Sequence, residues 1–224
     1  MLAERIISLV APEACLVCSK KGFGFCIDCQ QDYLELALSR CYRCHKVTRQ
    51  HQLCPNCRRT TKLGHLWVVT MYQDIGKDIL HNLKFERSGY LAKDIARIMA
   101  EVLPILPSST VICHVPTAPS RIRVRGYDQA QLIAKRLNKL KKLEYQDLLR
   151  RSSYSRQLGS TRDQRLRQAS KAFELNKPAL VKGKNILIVD DVTTSGATLE
   201  AVSKLFKKAG AQSVDAIVFA QALD

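Results

Sequence analysis

The stretch Ile186-Leu-Ile-Val-Asp-Asp-Val-Thr-Thr-Ser-Gly-Ala-Thr198 joins an apolar run, two carboxylates and a series of small hydroxylated residues around a glycine. Residues 185–189 are almost continuously apolar and largely β-branched, the pattern of a strand buried on both faces of a parallel sheet. That strand is expected to deliver Asp190 and Asp191 at its carboxyl end, and the loop beyond it to open a helix over residues 196–209 that stops at Gly210. Backbone N–H groups of the loop, with the hydroxyls of Thr193, Thr194, Ser195 and Thr198, can surround a phosphate at the positive end of the helix. Gly196 allows close backbone approach. The acids beside it suit vicinal sugar hydroxyls, or a magnesium ion held mainly by phosphates. A phosphorylated-sugar site is the expectation.

Two other readings compete for this stretch. A capped helix with an acidic turn does not call for the order of strand, double acid, hydroxyl run and glycine. Ile-Val-Asp-Asp also opens response-regulator receiver domains, but these need roughly a hundred or more residues after the first strand, and this sequence stops at Asp224.

Outward from this stretch, strand and helix patterns alternate. A strand is expected over residues 67–72, helices over 75–85 and 89–103, a buried strand over 110–115, a helix over 127–140 and a closing strand over 214–219. The alternation predicts an α/β fold with an open, mostly parallel sheet, in which ligands collect at the carboxyl ends of the strands. Cys113, within the run Val111-Ile-Cys-His-Val115, reads as a small buried hydrophobe.

Eight of the nine cysteines precede residue 58 and form four Cys-x-x-Cys pairs: Cys15 with Cys18, Cys26 with Cys29, Cys41 with Cys44, and Cys54 with Cys57. Each pair can present two thiolates to one tetrahedral ion, and two pairs complete a four-sulfur structural zinc site. Pairing of sequence neighbours gives two sites, from the first four and the last four cysteines. An interleaved arrangement stays open. His45 and His51 are expected at the surface. Residues 1–62 are thus read as a small zinc-ribbon-like module and residues 63–224 as the α/β domain.

The chain of 224 residues can bury a core without disulfides. It has no stretch long and apolar enough to insert in a membrane, and residues 6–11 are too short an apolar run for a signal-peptide core, so a cytoplasmic location is expected. Net charge is +16, and residues 121–167 contribute +10 of it, from 14 basic and 4 acidic residues. Clustered positive charge of this kind attracts polyanions, and single-stranded DNA bound through Arg150, Arg151 and Arg156 is one such expectation. A solvated, solubilising surface is the other reading of the same charges.

The sequence resembles the type I phosphoribosyltransferases, and among them the ComF branch of competence proteins. The motif of residues 189–198 is similar to that family's 5-phosphoribosyl pyrophosphate signature, and Val115-Pro-Thr-Ala-Pro-Ser-Arg-Ile-Arg-Val-Arg-Gly-Tyr-Asp-Gln129 to its pyrophosphate-loop segment. Lys84-Phe85 resembles a Lys-aromatic pair, while Gln157, Arg167 and Phe173 fall at the spacing of a basic flexible loop that includes Arg162 and Arg165. Tyr127-Asp128 stands where Phe-Asn is usual, and Gln168 where Asn is usual.

The resemblance implies roles residue by residue. Asp190 and Asp191 would contact the ribose; Val192, Thr193, Thr194, Ser195, Gly196, Ala197 and Thr198 would hold the 5-phosphate. Pro116, Thr117, Ala118, Arg121 and Arg125, with Lys84 and Arg167, would face the pyrophosphate and its magnesium. It further implies natural transformation, with single-stranded DNA and helicase or recombination-mediator proteins as partners. A transferase with an unidentified acceptor and a non-catalytic ligand sensor remain as alternatives.

Overall fold

The computed structural model describes residues 13–86, 88–152 and 172–222, and puts the run after Lys184 at the centre of a sheet. Strand β1 is Leu66–Met71, β2 Thr110–His114, β3 Glu144–Tyr145, β6 Asn185–Thr193 and β7 Ser213–Gln221. They form a five-stranded sheet in the order β1-β7-β6-β2-β3, parallel at every pairing. A separate two-stranded sheet pairs β4 (Leu149–Arg151) antiparallel with β5 (Phe173–Leu175).

Alternation along the strands feeds two cores. Leu187 and Val189 of β6 pack with Trp67, Ile112, Ile217 and Phe219 on one face. Ile186 and Ile188 pack with Val68, Val111, Cys113 and Val218 on the other. The first face is covered by α3 (Asp74–Phe85), α4 (Leu91–Val102) and α6 (Gln129–Lys141), through residues such as Ile79, Ile95 and Ile133. The second is covered by α7 (Ala197–Lys208), through Leu199, Val202 and Phe206. Both faces being buried is why these strands read as unbroken apolar runs.

The cysteine segment, with its short helices α1 (Ile27–Tyr33) and α2 (Pro55–Arg58), divides between the two faces. Cys15, Cys26 and Cys29 belong to the first core, Cys41 and Cys54 to the second. Between them the chain crosses the open edge of β1, where the Ala37 N–H donates to the Val69 carbonyl at 2.8 Å and Thr70 Oγ1 donates to the Glu35 carbonyl at 2.7 Å. A covered edge cannot pair with another chain.

The element expectations hold with local shifts. β6 runs four residues past the expected 189 because β7 pairs with it as far as Thr193 opposite Gln221. Asp190 and Asp191 therefore lie within the strand, not beyond its end. The helix expected from residue 127 begins at Gln129, because the Asp128 side chain caps it by accepting from the Gln131 N–H at 3.2 Å. Helix α5 (Pro119–Arg125), β3 and the β4–β5 pair were not expected. Cys113 is fully buried and burial raises its thiol, as a small core residue requires. Among the described residues, no helix is long and apolar enough to cross a membrane.

Candidate functional site

Where β2 and β6 end, the chain departs from the sheet on both strands and leaves a cavity of about 570 Å³. It is lined from β6 and its loop by residues 190–198, from the β2 loop by Pro116, Thr117 and Ala118, from α5 by Arg121 and Arg125, and from α3 by Lys84. The residues of β6 and its loop were expected from the sequence pattern, and the others from the family resemblance. Arg167 and Arg156, with Arg162, Arg165, Gln157 and Gln168, lie outside the described residues.

The two strand acids differ because strand alternation turns them to different sides. Asp191 forms an ion pair with Lys84 Nζ at 2.5 Å, both side chains being mostly buried. Asp190 accepts the Asp191 N–H at 2.9 Å. Burial first, and then the Asp191 carboxylate, raise the Asp190 carboxyl well above the usual carboxylate range.

Gly196 caps α7 in the left-handed region at φ 74°, a conformation that favours glycine. Among the described residues, no main-chain carbonyl accepts from the N–H groups of Thr194, Ser195, Gly196 or Ala197, so these donors remain for a ligand.

Opposite, the β2 loop is tied down by Asp128, which accepts from the Thr117 N–H at 2.7 Å and from Thr117 Oγ1 at 3.2 Å. Asp128 is itself buried against His114, with 3.9 Å between Oδ2 and Nε2. Burial lowers His114, so the imidazole stays neutral near neutral pH. Arg125 donates to Gln129 Oε1 at 2.9 Å and lies over the Phe85 ring at 5.3 Å. Burial, then the like charge of Arg121, lower the Arg125 guanidinium from its usual value. An anion between the two arginines would relieve both effects.

Two residues at the end of the quoted 115–129 segment, to which no role was assigned, also serve this site. Gln129 is buried in its wall, and Gln129 Nε2 has no hydrogen-bond partner, an unfilled donor of the kind that a phosphate oxygen satisfies. Asp128 holds the β2 loop; its place just before an apolar helical pattern was the cap signal that could have revealed it. Arg150 and Arg151, adjacent on β4, have different surroundings. Exposed Arg150 pairs with Glu174 through Nε at 2.9 Å and Nη2 at 2.6 Å. Arg151 lies over Phe173 at 5.2 Å and lines the same cavity as the strand acids.

The cysteines gather into two quartets, Cys15, Cys18, Cys26, Cys29 and Cys41, Cys44, Cys54, Cys57, with the ligand atoms of each within 4.8 Å of one another. Sequence neighbours therefore pair, and the interleaved arrangement is not adopted. Sγ separations of 3.7 Å for Cys18–Cys26 and 3.5 Å for Cys44–Cys54 match the edge of about 3.8 Å that tetrahedral zinc with Zn–S near 2.3 Å requires. Backbone N–H groups turn toward sulfur, that of Cys29 lying 3.5 Å from Cys26 Sγ. The Cys57 N–H lowers the Cys54 thiol to about 7. Each quartet could hold one zinc. His45 is exposed and His51 half-buried, and neither joins a quartet.

The phosphoribosyl transferase domain family matches residues 122–224. Over 84% of this chain and 84% of its own length, the competence protein ComFC of Streptococcus pneumoniae is 28% identical. The DNA utilization protein YhgH of Escherichia coli is 28% identical over 85% of this chain and 94% of its own. The competence protein F of Haemophilus influenzae is 24% identical over 85% and 87%. The fold is of the type I phosphoribosyltransferase kind, with a cysteine-rich module.

Protein purified without chelator is expected to contain two zinc ions per chain by elemental analysis, one for each quartet, and Cys15→Ser to lower this to one. For Asp190 the sign follows from linkage. Its raised folded pKa means that the folded state holds the proton more tightly, so stability is full below the unfolded pKa and falls as pH rises toward the raised value. Asp190→Asn should therefore raise the apo melting temperature at pH 7.5 by roughly 2–4 °C, with the difference shrinking toward pH 4 in a series of thermal melts.

Proposed function

We propose that this chain, which carries a phosphoribosyl transferase domain and is similar to competence and DNA utilization proteins, is a ComF-type protein that binds 5-phosphoribosyl pyrophosphate with magnesium and acts on single-stranded DNA in the cytoplasm. One observation carries the ligand reading. A single cavity holds two strand acids, a hydroxyl-rich loop at a helix N-terminus and, across from them, Arg121, Arg125 and Lys84. Residues 192–198 would take the 5-phosphate with their N–H and hydroxyl groups. Asp190 and Asp191 would accept from the ribose hydroxyls. Arg121, Arg125, the unfilled Gln129 amide and Lys84 would face the pyrophosphate. Magnesium, when bound, would screen the charge between the pyrophosphate oxygens and the strand acids.

A role on DNA is supported by the +10 stretch at residues 121–167 together with the names of the relatives. Exposed Arg150 on β4 would contact backbone phosphates, while Arg151 would contribute to both ligands.

Ligand selective for the folded state stabilises it by mass action, about 2.7 kcal/mol when present at roughly a hundredfold over its dissociation constant. Phosphoribosyl pyrophosphate with magnesium is thus expected to raise the melting temperature by several degrees, and Asp190→Ala combined with Asp191→Ala to abolish the shift. No shift in the wild type at millimolar ligand would sink the assignment. Single-stranded DNA should bind weakly, with affinity falling steeply as salt rises. In fluorescence anisotropy titrations, Arg150→Glu should flatten the salt slope and spare the sugar ligand, whereas Arg151→Glu should weaken both.

A further inference from the structure

The second quartet reaches the phosphate loop through the two residues between its first cysteines. In Cys41-Tyr42-Arg43-Cys44 both intervening side chains leave the quartet and end on the first turn of α7. The Tyr42 ring lies against the bare Cα of Gly196, so closely that a Cβ there would stand 2.5 Å from Cε2 and 2.7 Å from Cδ2. Its hydroxyl donates to Glu200 Oε1 at 2.9 Å and lies 3.3 Å from Thr61 Oγ1. Arg43 Nε is 3.1 Å from the same Glu200 oxygen. The Arg43 guanidinium also donates to Thr60, whose hydroxyl donates to the Cys57 carbonyl at 3.0 Å. The path thus leaves the quartet at Cys41 and Cys44 and returns to it at Cys57.

Glu200 explains why this contact bears on ligand binding. Its N–H donates to the Gly196 carbonyl at 2.9 Å, and its carboxylate is buried at the helix end that is to receive a phosphate. An unneutralised acid there would oppose an anion and carry a large desolvation cost. Arg43 supplies the counter-charge and Tyr42 a donor, while the Tyr42 ring confines Gly196 at the turn where the loop becomes helix. Among the described residues, the first quartet has no such route. Its neighbours Gly24 and Phe25 donate their N–H groups to Asp94 of α4, at 2.7 and 3.1 Å, on the opposite face of the sheet.

We propose that Tyr42 and Arg43 are positioning residues for the phosphate loop, so that metal in the second quartet, and not in the first, sets the order of that loop and its affinity for a phosphorylated ligand. The affinity part rests on the ligand reading above. The loop-order part does not.

The test combines hydrogen–deuterium exchange over residues 192–200 with calorimetric titration of phosphoribosyl pyrophosphate and magnesium, on the full chain. Tyr42→Leu and Arg43→Gln are each expected to speed loop exchange and to weaken the ligand by about tenfold. Tyr42→Phe keeps the ring against Gly196 and should fall between these and the wild type. Cys44→Ser, with one zinc fewer, should match Tyr42→Leu, while Cys18→Ser, also with one zinc fewer, should leave loop exchange within about twofold of the wild type. A Tyr42→Leu protein with unchanged loop exchange would overturn the proposal, as would equal loop exchange in Cys18→Ser and Cys44→Ser. If the wild type fails to bind the ligand, the ligand reading falls, and the exchange rates still decide the coupling.

Discussion

Every part of the site is measured from β6, a strand paired in parallel on both sides and buried on both faces through Val189. Its ladder to β2 ends with His114 opposite Val189, and the Val115 N–H then donates to the Val189 carbonyl at 3.0 Å. There β2 leaves the sheet while β6 runs on beside β7 to Thr193, which brings the β2 loop and the hydroxyl loop to the two sides of one cavity. A parallel sheet allows this because both strands present their carboxyl ends on one edge. A residue slip in β6 would exchange its core faces and the sides taken by the two carboxylates.

Charge within the cavity is unevenly balanced among its acids and arginines. Burial and the Asp191 carboxylate raise the Asp190 carboxyl, and burial and Arg121 lower the Arg125 guanidinium; Asp191 forms its ion pair with Lys84. Two like-charged neighbours and an unfilled Gln129 donor are costly without a partner. The proposed phosphorylated ligand with a divalent cation would bring charges that balance these groups.

The cysteine segment is built into the α/β fold instead of standing beside it. One quartet packs in each core, and the link between them covers the β1 edge with a main-chain hydrogen bond. Zinc in the quartets would therefore stiffen surfaces against which α4 and α7 lie, with different consequences on the two faces. On the α7 side, Tyr42 and Arg43 touch the turn that opens the phosphate loop.

Much of this was legible in the residues. The apolar run and helical periodicities located β1, β2, β6, β7 and the long helices, because burial on two faces or one stripe imposes a pattern on neighbouring positions. The cysteine spacing located the quartets, and the strand, acid, hydroxyl and glycine order located the cavity's β6 side. What the sequence could not express was contact between distant segments. The β4–β5 ladder pairs short strands 24 residues apart at Arg150 and Glu174, too brief for periodicity to register. Opposite surroundings for Asp190 and Asp191 came from the ladder with β7 and from Lys84. Tyr42 meets Glu200 across 158 residues, and nothing local to either marks the pair. Local pattern determined the elements and the kind of chemistry they could carry, because helices and strands answer to near neighbours. Which side chains meet, and with what charge, was decided only when the sheet closed its two cores around them.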